Sequence, residues 1–501
     1  MMQASFFLRW RWRLVIGTTL AAAVVVLGSC DLSPERAGRL AMHECRLPKL
    51  PLAVQCGELE VPENRSQPNG RRIRIAVAVL TANTRNPALD PFVILAGGPG
   101  QAASSLGPFA AQFAAIRRHR DIVLVDQRGT GRSSPLECAA FKAVDASDAA
   151  MELDPAPRVA ECAKELAVHG VDAAQYTTAA WIADLDAIRA ALGYERLNLW
   201  GGSYGTRAAL EYLRRYPQHV RTLVLDGVAP PALEISLDVW VTRDAAISAV
   251  FDACRKSSVC QAAHPDLDAT LRGIDDALGT DGRDIMIADP RTGAARTLHF
   301  TLDHVIAALQ PLVYLPEVAS LVPAALGRAA NGDFAPLYAA ASWLTTGLVE
   351  QVNAALYYSV TCAEDGPRIS PAEREAKLAG LRSRRLAQRA LAACDAWPAG
   401  QAPSDSATPV VSDAPTLILS GGLDPVTPPA YGAEVAKSLH HSRHIVAAGY
   451  GHNVSPHACA PRLIAAFIDD ADVAKLPTAC VEHLEKSARP ALWPGSLAPQ
   501  P

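Results

Sequence analysis

This chain of 501 residues has no surplus of positive charge. Its 47 Lys and Arg stand against 51 Asp and Glu, for a formal net charge of −4. A basic footprint for nucleic acid is therefore missing, and nucleic acid is not an expected partner. No internal repeat is visible, which sets aside solenoids and propellers. No Cys-x-x-Cys pair occurs, and His440, His441 and His444 fall in a loop-like stretch, so neither a metal nor a cofactor is expected. No Gly-Lys-Ser/Thr follows the glycine-rich turns, which argues against a phosphate loop. What the chain has in quantity is apolar surface. Half of its residues are hydrophobic and 20% are charged, which supports a large core and excludes a disordered or fibrous chain.

The first thirty residues read as an export signal. Arg9, Arg11 and Arg13 form a positive start, and Leu14–Leu27 is an uncharged apolar run too short for a comfortable membrane span. The run ends in Leu27-Gly28-Ser29-Cys30, which resembles a bacterial lipobox. A lipid on Cys30 would tether the protein to a membrane surface. The expected location is periplasmic or cell-surface. Of the eleven cysteines, ten remain after Cys30, an even number suited to an oxidising compartment. Proximity in sequence suggests Cys45–Cys56, Cys138–Cys162, Cys254–Cys260, Cys362–Cys394 and Cys459–Cys480, although spacing by itself leaves other connectivities open.

Short apolar runs bounded by turn residues recur along the chain. Ile73–Leu80 alternates and is expected near a sheet edge. Phe92–Ala96, Ile122–Val125, Leu197–Trp200, Leu223–Leu225, Thr416–Leu419 and His444–Ala447 read as buried parallel strands. Helical patterns such as Trp181–Leu192 and Thr206–Tyr216 lie between them. The expected class is α/β, a mostly parallel sheet with helices on both faces. The alternation stops between residues 231 and 406, an Ala- and Leu-rich stretch poor in strand signals, which reads as an inserted helical cap. Residues 31–230 and 407–487 would then be the two parts of the sheet domain, with 488–501 a loose Pro-rich tail.

The strongest local signal is the strand Leu197–Trp200 running into Gly201-Gly202-Ser203-Tyr204-Gly205 and a helix. Small flanking residues permit the sharp turn that lifts the Ser203 hydroxyl above a sheet at a helix N-terminus. A serine hydroxyl needs a base to act as a nucleophile. Candidates follow in chain order. Asp424 lies just beyond Leu417–Leu419 and its glycine turn, and His452 lies in the loop after the last strand. Asp226 is the runner-up acid and is read as a structural carboxylate. His457 is the runner-up base and is read as loop surface. In this arrangement His452 takes the Ser203 proton and Asp424 holds the imidazole tautomer. The oxyanion would be held by the Tyr204 N–H and by a donor from Gly97-Gly98-Pro99-Gly100. Gly98 is favoured over Gly97 there, and Pro99 has no N–H to give.

These residues, with Asp126-Gln127-Arg128-Gly129-Thr130-Gly131-Arg132-Ser133 and Asp424-Pro425-Val426-Thr427-Pro428, resemble α/β-hydrolases of the prolyl aminopeptidase and tripeptidyl aminopeptidase family of serine peptidases. Gly451-His452 with Cys459 and Cys480, and Cys394-Asp395-Ala396-Trp397-Pro398, resemble the C-terminal segment of the tripeptidyl type. One departure is Ala96, where many relatives carry His. The resemblance implies an α/β-hydrolase fold and exopeptidase action on peptides from a free N-terminus. It also implies an acidic residue that holds the substrate ammonium, for which Glu364 and Asp365 are the candidates. An exported esterase or lipase would share the triad and the oxyanion loop. A non-catalytic binding scaffold is a third reading, although no triad member is missing.

Overall fold

The computed structural model describes residues 40–142, 151–349 and 351–493. The export segment with Cys30 and the tail beyond residue 493 lie outside the described residues. Nine strands form one sheet in the order β1-β2-β3-β5-β4-β6-β7-β10-β11. They are β1 (His43–Arg46), β2 (Ala53–Pro62), β3 (Arg72–Leu80), β4 (Phe92–Leu95), β5 (Ile122–Val125), β6 (Leu197–Gly202), β7 (Val220–Asp226), β10 (Thr416–Gly421) and β11 (Ser442–Ala447). From β5 to β11 every neighbouring pair is parallel, whereas β1, β2 and β3 join antiparallel. All seven strands expected from sequence are present. β1 and β2 are additional, and they place β3 third from the edge. β2 escapes a reading by apolar runs because Gln55, Glu58 and Glu60 interrupt it.

The central strands are buried on both faces, and the period-2 alternation sorts their side chains into two layers. Phe92, Ile94, Leu124, Trp200, Leu417 and Leu419 face one layer, packed on Leu463, Ile464 and Phe467 of the helix Ala460–Asp470. Val93, Leu95, Val123, Leu199 and Ile418 face the other. That layer is covered by Trp181, Ile182 and Leu185 of the helix Thr178–Ala191 and by Ala208 to Leu210 of the helix Tyr204–Arg215. Burying each large aliphatic side chain contributes about 1.5–3 kcal/mol. The sheet is therefore the rigid floor on which the loops at its C-terminal edge stand.

The segment after β7 is largely helical, from Ile235–Lys256 to Arg384–Ala392, and has its own apolar cluster around Phe251, Leu309 and Leu326. It also holds a hairpin, β8 (Arg283–Ala288) with β9 (Ala295–Phe300), in a stretch read from sequence as helical and poor in strand signals. The hairpin alternates: Ile285, Ile287, Leu298 and Phe300 pack on the cap helices while their neighbours face solvent. The surrounding Ala-rich composition hides this pattern in the sequence. The C-terminal segment is tied down as far as residue 493. Ser487 Oγ accepts from Gly449 N at 2.8 Å, Leu492 packs against the cap cluster, and Trp493 N–H donates to Ser320 O at 2.9 Å.

Five disulfides join Cys45–Cys56, Cys138–Cys162, Cys254–Cys260, Cys362–Cys394 and Cys459–Cys480. The Asp126–Ser133 turn is built on buried charge. Asp126 accepts from Ser104 N at 2.7 Å, Ser104 Oγ at 2.9 Å and Arg132 N at 3.0 Å. Arg128 is 0% exposed. Its Nε and one terminal nitrogen donate to the two oxygens of Asp184 at 2.6 and 2.8 Å, and the other nitrogen donates to Glu63 O and Gln175 O. Removing one partner of such a pair strands the other charge, which costs about 3–5 kcal/mol. Asp184→Ala is therefore expected to lower unfolding free energy by about that amount in urea denaturation followed by circular dichroism. A loss under about 1 kcal/mol would show that the pair does not hold the turn.

Candidate active site

Ser203 stands between β6 and the helix Tyr204–Arg215 with φ 55° and ψ −126°. A side chain in this region costs about 1–3 kcal/mol, so the surroundings must enforce it. They do so through three hydrogen bonds. Ser203 N–H donates to Asp226 O at 2.9 Å, and Ser203 O accepts from Thr206 N at 2.9 Å and Thr206 Oγ1 at 2.6 Å. The turn is tight enough that a Cβ on Gly201 would overlap Gly205 O and one on Gly205 would overlap Leu95 O of β4. Both positions require glycine through close backbone approach.

Asp424 follows β10 and His452 follows β11. His452 Nδ1 and Asp424 Oδ2 are 2.8 Å apart. Asp424 also accepts from Val426 N, Thr427 N and Thr427 Oγ1, each at 2.8 Å, so the carboxylate is fixed on both oxygens. The His452 side chain is 11% exposed and meets the Tyr314 ring edge-on at 5.8 Å. Burial lowers the imidazole's affinity for a proton, but the charge and hydrogen bond of Asp424 outweigh it, and the pKa rises above the ordinary histidine value.

Asp226, the runner-up acid, is fully buried at the end of β7 and does not bond His452. Its carboxylate accepts from Val454 N at 2.8 Å and Ser455 N at 2.7 Å, and so pins the loop that carries His452. Trp200 Nε1 donates to Ser455 Oγ at 2.9 Å from the same side. His457 is exposed and lies against the Tyr450 ring.

Ser203, Tyr204, His452, Gly97 and Gly98 line one cavity of about 770 Å³, roofed by cap residues. Gly97 N–H already donates to Gln101 Oε1 at 3.3 Å. Gly98 N–H makes no hydrogen bond among the described residues. Tyr204 is the first residue of its helix, where backbone N–H groups lack helical partners. Gly98 and Tyr204 are thus the better-placed pair of donors.

Glu364 and Asp365 do not line this cavity. Asp365 is 0% exposed and accepts from Arg207 at 3.0 Å and Arg368 at 3.1 Å. Glu364 accepts from Thr178 N at 2.6 Å and Thr178 Oγ1 at 2.9 Å, and burial pushes its carboxyl up to about 7. Thr178 Oγ1 in turn meets Tyr204 Oη at 2.7 Å. The two carboxylates therefore buttress the helix behind Ser203. Neither candidate ammonium anchor therefore faces the cavity over Ser203, and both are held by partners within the protein. Their burial depends on Arg207 and Thr178, which are distant in sequence, so no local pattern reveals it. The role of Thr427 was more accessible: a threonine three residues after an aspartate is a common side-chain-to-backbone turn.

The model of the alpha/beta hydrolase fold matches residues 90–249, and that of TAP-like protein matches residues 381–480. The chain is 33% identical over 202 residues to a tripeptidyl aminopeptidase of Streptomyces coelicolor, covering 36% of each chain. It is 30% identical over 246 residues to the serine protease Hip1 of Mycobacterium tuberculosis, covering 44% of this chain and 46% of that protein. It is 36% identical over 149 residues to a probable proline iminopeptidase of Streptomyces coelicolor, covering 29% of this chain and 34% of that protein. The matched stretches span less than half the length of these curated relatives. With its parallel sheet, its Ser203 elbow and both matched segments, the chain has the α/β-hydrolase fold, with a C-terminal segment similar to TAP-like proteins.

Proposed function

We propose that the protein is an exported serine peptidase that releases short pieces from the N-termini of peptides through an acyl-enzyme on Ser203. The observation that carries this reading is the Asp424–His452 pair at 2.8 Å, with His452 lining the same cavity as the strained Ser203. Ser203 Oγ attacks the scissile carbonyl carbon while its proton passes to His452 Nε2. The carbonyl oxygen becomes an oxyanion beside the Tyr204 and Gly98 N–H groups, a contact worth about 3 kcal/mol of barrier per donor. The C–N bond then breaks as His452 returns the proton to the leaving amine. Water, activated by the same histidine, cleaves the ester and restores Ser203. Asp424 holds the imidazole in the tautomer that presents Nε2. The cavity volume of about 770 Å³ suits a short peptide. Names of relatives, tripeptidyl aminopeptidase among them, support peptide substrates. Five disulfides and the lipobox-like Leu27–Cys30 support an oxidising location and a lipid tether at Cys30.

A serine-directed phosphonate should label the wild type at Ser203, and Ser203→Ala should abolish labelling and lower kcat on the order of 10⁶-fold with its circular dichroism unchanged. Absence of labelling in folded wild type would overturn the assignment. The base must be neutral to accept the proton, so activity is present above the His452 pKa and lost as pH falls through it. Because that pKa is raised, the acid limb of kcat/KM should have its midpoint above the free imidazole value of about 6.5. Asp424→Asn should move the midpoint down and lower kcat by about 10⁴-fold. A limb that stays in place in the Asn variant would exclude His452 as the titrating base.

A further inference from the structure

The cavity over Ser203 has an uneven charge distribution. Among the described residues no Asp or Glu lines it, and apart from His452 the basic group there is Arg243, on the cap helix Ile235–Lys256. The guanidinium lies over the Tyr314 ring, 5.0 Å from its centroid, and donates to the Tyr314 hydroxyl. Its Nε is buried and has no hydrogen-bond partner, and among the described residues no carboxylate lies within ion-pair distance. The buried arginines among the described residues are paired: Arg120 with Asp90, Arg128 with Asp184, Arg207 with Asp365. Arg243 is half-buried, has no such partner among the described residues, and faces the cavity.

A partly desolvated guanidinium without a counter-ion is costly, and it offers a planar fork of donors matched to a carboxylate. The same Tyr314 ring that carries Arg243 packs edge-on against His452. Arg243 thus stands one aromatic ring away from the candidate base, near where a scissile bond would lie. We propose that Arg243 is a specificity residue that binds a carboxylate of the substrate, selecting acidic over neutral or basic substrates close to the cleaved bond. This rests on the peptidase reading for the nature of the substrate, though the anion preference stands on the cavity alone. The carboxylate has two possible sources. It is either an Asp or Glu side chain on the acyl side or the terminal carboxylate of a short leaving segment. A lysine side chain or an ammonium in the same place meets like charge.

The test compares matched substrates on purified full-length protein. Acyl-side pairs are peptide p-nitroanilides with Glu, Gln or Lys before the anilide. Leaving-side pairs are peptides whose released segment ends in a free acid or a carboxamide. A third pair is the p-nitrophenyl monoester of glutaric acid against that of its monoamide. Wild type should favour the acidic member of at least one pair by about 10- to 100-fold in kcat/KM, the scale of one charge-assisted hydrogen bond. The pair that responds identifies the source. Arg243→Gln should collapse that ratio toward unity, and Arg243→Lys should keep part of it. Equal rates on acidic and neutral members in wild type, or a preference that survives Arg243→Gln, overturns the proposal. Preference among the esters with no peptide cleaved would instead overturn the peptidase reading and leave the role of Arg243 standing.

Discussion

Asp226 is the constraint on which the site depends. Its carbonyl holds the N–H of Ser203, and its carboxylate holds the backbone of Val454 and Ser455. One residue at the end of β7 therefore fixes the serine turn on one side and the histidine loop on the other. Its burial is expensive for a carboxylate, and desolvation raises its pKa. Three of its hydrogen bonds, those of Val454, Ser455 and the Ser455 side chain, offset that cost. The strained φ of Ser203 persists because this scaffold over-determines it.

The cap is attached through a second set of buried charges. Arg207 sits on the helix that begins after Ser203, and it meets Asp365 of the cap. Glu364, beside it, meets Thr178, and Thr178 meets the Tyr204 hydroxyl. Cap position and nucleophile position are consequently linked through contacts behind the cavity rather than within it. Such pairs are poor sources of net stability but strict in geometry, since breaking either leaves a charge stranded.

Much of the fold was legible because the central strands are short, fully apolar and bounded by turns. Ser203, Asp424 and His452 stood out because each follows a strand through glycines, which is a local signal. What stayed hidden depended on partners far away in the chain. Asp226 and Val454 are 228 residues apart, so the second role of this carboxylate had no local trace. Glu364 and Asp365 are ammonium-anchor candidates in the sequence, and only contacts with the distant Arg207 and Thr178 and with Arg368 put them behind the cavity. Arg243 gave no signal either, since a cation within a long cap helix reads as a solvated face. The β8–β9 hairpin alternates clearly, but it is embedded in a segment whose composition favours helix.

The segment after β11 returns beneath the histidine loop. Gly449 rests on Ser487 and Ala488, and Trp493 reaches the cap at Ser320. Acid and histidine both come late in the chain, and their loop is propped from below by the last described residues. A polypeptide emerging N-terminus first would complete the serine turn long before the remaining partners could assemble around it. A chain cut before β10 would therefore hold the strained Ser203 turn with neither Asp424 nor His452 beside it.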